Sequence, residues 1–454
     1  MVGWSWVVLA GETILRAGVA GSIAAFVTGA IMVWLVGLTY AELTSAISRA
    51  GGEVSFTFLA MGHWAAYVCG WTLALAYVSV CAFESVALPT VVAYLVPGLE
   101  MGYLYTLAGG DVHLSWVIVG VAGSVAIGVV NYRGVEFASF FQRVAAVLLL
   151  VIGVGLFVPG IALGQAGLAE PLFTGWSGFF RVVVMTPFLF VGFDVIPQVA
   201  EDIDVPLRAV GRLIVFSIAL ALGWYVLVQW SVGVTLDSGT LAGRELPTAD
   251  AMSVVYGTPW AGRVLVVGGL LGIATSWNAF FLGGTRVIFA MSRAGLLPPL
   301  FSRLHPRFGS PGAAVVLLSA VTVLAPLLGR QALLWFVDAG GFAAVITYLM
   351  VAVSFLQIRH RYPKLARPYS VPAPRLVGGL AVIVTVFFLA LYLPGSPSAL
   401  LWPHEWAVIG FWGVLGTVFA IGVSARRVAL GPDRQAQVML GSLADRLQSA
   451  RKTS

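Results

Sequence analysis

The sequence predicts an all-α polytopic membrane protein, and three observations lead there. Of 454 residues, 59% are hydrophobic and 10% charged, where soluble domains average roughly 45–50% and roughly 25%. The apolar runs are continuous over about 20 positions, the length one helix needs to cross hydrocarbon, and they lack the alternation of a barrel strand. Basic residues crowd into every second connection, as the two faces of a membrane require. A cytosolic enzyme, a secreted domain and a disordered chain are thereby excluded.

Twelve segments follow in order. A short one, Val2–Leu15, opens the chain. Full spans are expected at Val19–Ala46, Trp64–Leu95, Trp116–Val130, Phe137–Leu163, Phe179–Ala200 and Val210–Val234, then at Trp260–Met291, Ala313–Leu328, Leu333–Leu356, Leu376–Leu393 and Trp406–Val423. The connections carry turn formers, among them Ala50-Gly51-Gly52, Pro97-Gly98 and Pro298-Pro299. Twenty basic residues fall on the side that carries the C-terminus and five on the other, so that side is expected to be cytoplasmic. The net charge of +6 is then an orientation signal and not a nucleic-acid surface. In the tail, Leu440, Leu443 and Leu447 share one helical face, which fits either an inner-leaflet helix or a solvated one. Cys69 and Cys81 are about 18 Å apart on one helix, too far to bridge. No Cys/His cluster has metal-ligand spacing, so no cofactor is expected.

Span six holds the chemistry. It reads Pro187-Phe188-Leu189-Phe190-Val191-Gly192-Phe193-Asp194-Val195-Ile196-Pro197-Gln198. Pro197 lacks an N–H and disfavours helix before it, and Gly192 permits unusual backbone angles. A discontinuous helix is expected, broken near Val191–Asp194, with Asp194 capping the half that restarts. Freed carbonyls at such a break attract a cation or ammonium, and freed N–H groups attract a carboxylate. The chain's start repeats part of this pattern. Val2-Gly3-Trp4 parallels Val191-Gly192-Phe193, each with a glutamate nine residues after its glycine, Glu12 and Glu201. The two are five spans apart, an odd offset, so the second unit is inverted across the membrane, as in five-plus-five transporters.

The runs Tyr40-Ala41-Glu42-Leu43, Arg49-Ala50-Gly51-Gly52-Glu53, Gly192-Phe193-Asp194 with Ala200-Glu201, Ser292-Arg293-Ala294-Gly295 with Pro298, and Arg359–Pro363 with Arg367-Pro368-Tyr369 make the chain resemble the amino acid–polyamine–organocation superfamily of permeases. The likeness covers nearly the whole chain. Two departures are Ser48, where the family usually has proline, and Val54-Ser55-Phe56, where it usually has a tyrosine-containing run. The resemblance implies a leucine-transporter-like fold: a first inverted repeat over 1–173, a second over 174–360, two further spans over 361–424, and a cytoplasmic tail over 425–454. In the family span one is also broken, and Gly3 matches the last glycine of its turn. The half-helix before it is missing here. Val2–Leu15 is about 21 Å long, short of the ~30 Å hydrocarbon core. The start is therefore expected to have been placed too far downstream, or the sequence to be a fragment.

By the same resemblance, backbone N–H groups of Val2, Gly3 and Trp4 meet a substrate carboxylate, and carbonyls of Phe190 and Val191 meet its ammonium, with Gly192 and Asp194 completing the break. Phe193 and Trp4 shape or gate the pocket. Glu84 sits near mid-membrane in span three, where an ionisable group is a functional candidate by default: a proton carrier, a partner for a basic substrate, or a structural carboxyl. Arg143 begins span five, where sodium-coupled relatives hold sodium. It favours proton coupling or exchange, or simply pairs with Glu42 or Asp202. Ser276 and Thr275 are pathway-lining polar groups, Phe280 an aromatic gate, and Asp338 a further buried acid.

These readings converge on a secondary transporter of an amino acid in the cytoplasmic membrane, moving it by alternating access with proton coupling or exchange. A polyamine or ethanolamine-type organocation is the alternative cargo. A channel would show pore-lining rings, a membrane enzyme a metal or nucleophile cluster, and an ATP-driven pump a phosphate loop; the sequence displays none of these.

Overall fold

The computed structural model describes residues 3–49, 51–134, 139–199, 206–441 and 443–445. Helix α1 (Ser5–Ala17) ends at Gly18 and α2 (Val19–Ala46) restarts at once. A short α3 (Gly52–Met61) leads into α4 (His63–Leu95). An antiparallel hairpin, β1 (Tyr103–Leu107) and β2 (Gly110–His113), pairs Tyr103 with His113 and precedes α5 (Leu114–Tyr132) and α6 (Ser139–Leu163). The sixth span is divided among α7 (Trp176–Val183), α8 (Thr186–Phe190) and a 3-10 segment, Phe193–Val199. Then come α9 (Leu207–Gly233), the short α10 (Ser238–Leu241) and α11 (Pro247–Val255), and α12 (Pro259–Arg293). The last elements are α13 (Gly312–Leu324), α14 (Ala332–Arg361), α15 (Pro374–Tyr392), α16 (His404–Leu430) and α17 (Pro432–Leu440).

Among the described residues, ten helices are long and apolar enough to cross a membrane, and the chain is a multi-pass membrane protein. The two expected spans outside that set also fall on helices. One is α1, with 13 residues, and the other is the shorter apolar stretch Gly312–Leu328. α12 and α14 run past their apolar stretches to end on Arg293 and Arg361, where basic side chains complement the C-terminal end of the helix dipole.

Two of the recognisable runs meet as one clasp. Glu42, 1% exposed at the end of α2, accepts from Arg359 Nε at 2.7 Å and Nη2 at 2.6 Å. Arg367 Nε lies 3.1 Å away, and the Val371 N–H donates at 2.8 Å. The Ser45 hydroxyl accepts the Tyr369 N–H at 3.1 Å. Helices α2 and α14 and the approach to α15 are therefore joined through one buried carboxylate. The expected pairing of Arg143 with Glu42 does not occur, because these two arginines already fill the acid's lone pairs; Asp202 lies outside the described residues.

In the tail, helix α17 docks on the protein. Gln435 donates its amide to the Ala294 carbonyl at 2.7 Å and sits 2.8 Å from His63 Nδ1. The Ser55 hydroxyl donates to the Met439 carbonyl at 3.0 Å, and Leu440 and Leu443 are buried. Leu447 lies outside the described residues. Two leucines of the expected stripe, Leu440 and Leu443, thus face protein.

Candidate functional site

The break in the sixth span is the centre of the site. Pro187 has no N–H to offer Val183, and the Thr186 hydroxyl donates to that carbonyl instead, at 2.7 Å. The next freed acceptors are met from other helices. Tyr392 donates to the Val184 carbonyl at 2.5 Å, and Tyr225 to the Leu189 carbonyl at 2.8 Å. The helix stops at Val191, where ψ turns to 145°, and Gly192 follows at φ 128°. That backbone is open to glycine and strained for any side chain. Among the described residues, nothing donates to the Phe190 or Val191 carbonyls.

Opposite the break stand α4 and α12. Glu84 is 2% exposed. Its Oε1 is hydrogen-bonded by the Ser276 hydroxyl, and its Oε2 has no partner among the described residues. Gly3 presses against this pair. A Cβ on Gly3 would lie 3.2 Å from Ser276 Cβ and 3.7 Å from Glu84 Oε1. Two cavities meet here. A small one is lined by Trp4, Phe83, Glu84, Val191 and Phe280. A larger one, about 450 Å³, is lined by Gly3, Gly192, Trp224, Thr275, Ser276 and Phe280. Its walls are mostly apolar, which fits a small-solute site with few polar groups. Phe280 borders both.

Gly3, Trp4, Glu84, Val191, Gly192, Thr275, Ser276 and Phe280 are thus brought together, whereas several other candidate side chains point elsewhere. Val2 lies outside the described residues. The Phe190 ring packs on Phe26 and Tyr225, with centroids 6.3 and 5.4 Å away. Phe193 does not line the pocket. The turn at Gly192 sends it between Tyr40 and Tyr348, with centroids 5.1 and 5.4 Å away. Asp194 does not cap the restarting helix. It folds back to accept the Gly192 N–H at 2.6 Å, and Tyr348 donates to its other oxygen at 3.4 Å. The Gly192 N–H is thereby spent and is no longer free for a carboxylate. Arg143 is exposed on α6 and lines neither cavity. Asp338 belongs to a separate group with Glu405 and Arg16.

Trp224, Phe83 and the tyrosines behind the break were not foreseen. On their own spans they read as apolar filler, and only the packing of α4, α9 and α14 around the sixth span gives them a place. Trp4 has a demanding seat. A Cβ on Gly269 would stand 1.3 Å from its ring, so the indole's six-membered ring is seated directly against α12. Gly269→Ala is expected to push the indole out at a cost of about 1–3 kcal/mol. Thermal denaturation of that variant and of Gly269→Ala with Trp4→Leu tests the contact; the double variant should recover most of the loss.

Among known proteins, the family profile described as amino acid permease matches residues 2–421. The chain belongs to the amino acid permease family. The permease is 26% identical over 396 residues to the branched-chain amino acid permease BcaP of Bacillus subtilis, covering 86% of this chain and 84% of that one. It is 24% identical to the methylthioribose transporter of Bacillus subtilis, over 92% and 89% of the two chains. It is 26% identical to the aspartate-proton symporter of the same organism, over 85% and 75%.

Proposed function

We propose that the permease is a secondary transporter that carries an amino acid together with a proton across the cytoplasmic membrane. The observation that carries this reading is the place of Glu84 beside Gly3 and the broken span. An ammonium fits the unpaired carbonyls of Phe190 and Val191. A carboxylate fits the N–H groups of Gly3 and Trp4, with Val2 as the further donor implied by the resemblance. That places the substrate carboxylate against Glu84 in a largely apolar cavity, where two like charges cannot both persist. A proton on Glu84 removes the conflict, so substrate and proton bind together. Two of the relatives carry amino acids by name, one of them with a proton, and this supports the same cargo here.

Access then alternates by movement between two inverted halves, 1–173 and 174–360, each with its own glycine turn. Spans 361–424 flank them. The tail faces the cytoplasm, as the excess of basic residues on its side supports. Phe280, bordering both cavities, is placed to open or close the way between them. Arg143 has no part in this reading.

The unpartnered Glu84 oxygen also favours a second cargo, an organic cation without a carboxylate, which would meet Glu84 in its charged form. Counterflow in proteoliposomes with a labelled amino acid mixture decides between the two. The expected result is saturable counterflow, with uptake raised by an inward proton gradient. Counterflow by amines alone would install the second cargo. Steady ionic current without uptake would replace the transporter with a channel.

A further inference from the structure

A second acid, on the far side of the broken span from the pocket, has no part in the proposed substrate site. Glu53 begins α3 and is fully buried. It is held there by glycine. Gly51 adopts φ 93°, and a Cβ on Gly52 would stand 2.6 Å from Pro197, so the start of α3 lies directly on the 3-10 segment of the sixth span. Across that seam the Gln198 amide donates to Glu53 Oε2. Among the described residues, Glu53 Oε1 has no second well-formed hydrogen bond; the Tyr40 hydroxyl interacts with the carboxyl only weakly, and the buried Tyr77 hydroxyl has no partner.

The groups facing Glu53 come from every neighbouring element. They are Tyr40 of α2, Cys69 and Tyr77 of α4, Asp194 and Gln198 of the sixth span, and Tyr348 of α14. Among the described residues, the charged side chain that faces it is Asp194, a second acid. The two acids are not equivalent. Asp194 accepts a backbone N–H and a tyrosine hydroxyl, whereas Glu53 has one amide donor and only a weak contact with the Tyr40 hydroxyl.

We propose that Glu53 is a proton-binding site, separate from the substrate pocket, whose occupancy holds α3 against the broken span. The proton sits on Oε1 while the seam is closed. It comes from water, and returns to water, when the seam parts. Burial first, and the charge of Asp194 second, push Glu53 well above the usual carboxylate range. The sign follows from this. The closed seam is favoured at pH values below the raised value and loses that advantage as pH rises through it. Opening the seam and releasing the proton are one event.

Cys69 reports on the seam directly, since its thiol lies 3.8 Å from the Glu53 carbonyl. The test is maleimide labelling of Cys69 in the full chain carrying Cys81→Ala, from about pH 5 to about pH 9, with and without Glu53→Gln. Thiol chemistry alone speeds labelling as the thiolate fraction grows, and the glutamine variant measures that baseline. The expected result is that the Glu53 protein outpaces the baseline by about tenfold or more at the alkaline end. Its infrared spectrum also shows a protonated-carboxyl band that Glu53→Gln removes. Parallel labelling curves, or identical carboxyl bands in the two proteins, overturn the proposal. If Glu53→Gln is not recovered folded, Gln198→Ala replaces it. Loss of that donor strengthens proton binding and moves the acceleration to higher pH, and an unmoved onset overturns the proposal. Labelling needs no substrate, so failure here is distinct from failure of the transport reading.

Discussion

Glu84→Gln is expected to abolish proton movement with substrate, by about 100-fold or more, while counterflow falls by less than about tenfold. The glutamine keeps the shape of the side chain and can still meet the Ser276 hydroxyl that now bonds Oε1. What it loses is the ability to switch between a charge and no charge beside Gly3, where a Cβ would already be 3.7 Å from that oxygen. A permanently neutral group still admits the substrate carboxylate, so exchange of one substrate for another continues. Concentrative uptake driven by a proton gradient does not. A pH-sensitive dye inside proteoliposomes, read beside labelled counterflow, separates the two quantities. Unchanged proton entry in the variant would remove Glu84 from the coupling step.

The second large effect is expected at the clasp, and exposure sets its direction. Glu42 is 1% exposed, whereas the side chains of Arg359 and Arg367 are 25% and 11% exposed. Removing one side of a buried ion pair costs about 3–5 kcal/mol, because the charge left behind is uncompensated. Glu42→Ala leaves two arginines with partial access to solvent, and the loss should fall near the lower end. Arg359→Ala with Arg367→Ala leaves a carboxylate with nowhere to turn, and the loss should reach the upper end. Thermal unfolding in detergent, followed by size exclusion, ranks the two. If the glutamate variant is the less stable, the clasp is held by something other than its buried acid.

Much of the architecture was legible because the membrane allows few solutions. Each span could be found from its apolar run, and the broken span from a proline, a glycine and an acid within one such run. The short elements were not legible. α3 reads as a glycine turn, and α11 and the hairpin lie between spans where hydropathy carries no periodic signal. The Gly192 turn was foreseen, but where it sends the following side chain depends on α2 and α14, which the local sequence does not contain. Phe193 and Asp194 were therefore assigned to the pocket and stand behind it. Glu53 was read as part of a recognisable run and nothing more. Its character as a buried acid facing another acid appears only when Gln198 and Asp194, more than a hundred residues later, are folded against it.

The hydroxyls around the sixth span carry one more consequence. Averaged over their spans, Tyr225 and Tyr392 disappear into apolar runs, and Thr186 passes for a small filler. Yet these three side chains donate to the carbonyls of Leu189, Val184 and Val183. In a solvent without water, irregular main chain must import its donors from its neighbours. The freedom of this helix to be broken therefore resides in residues that are not part of the break. Exchanging either tyrosine for phenylalanine would leave the pocket chemically intact and its frame without support.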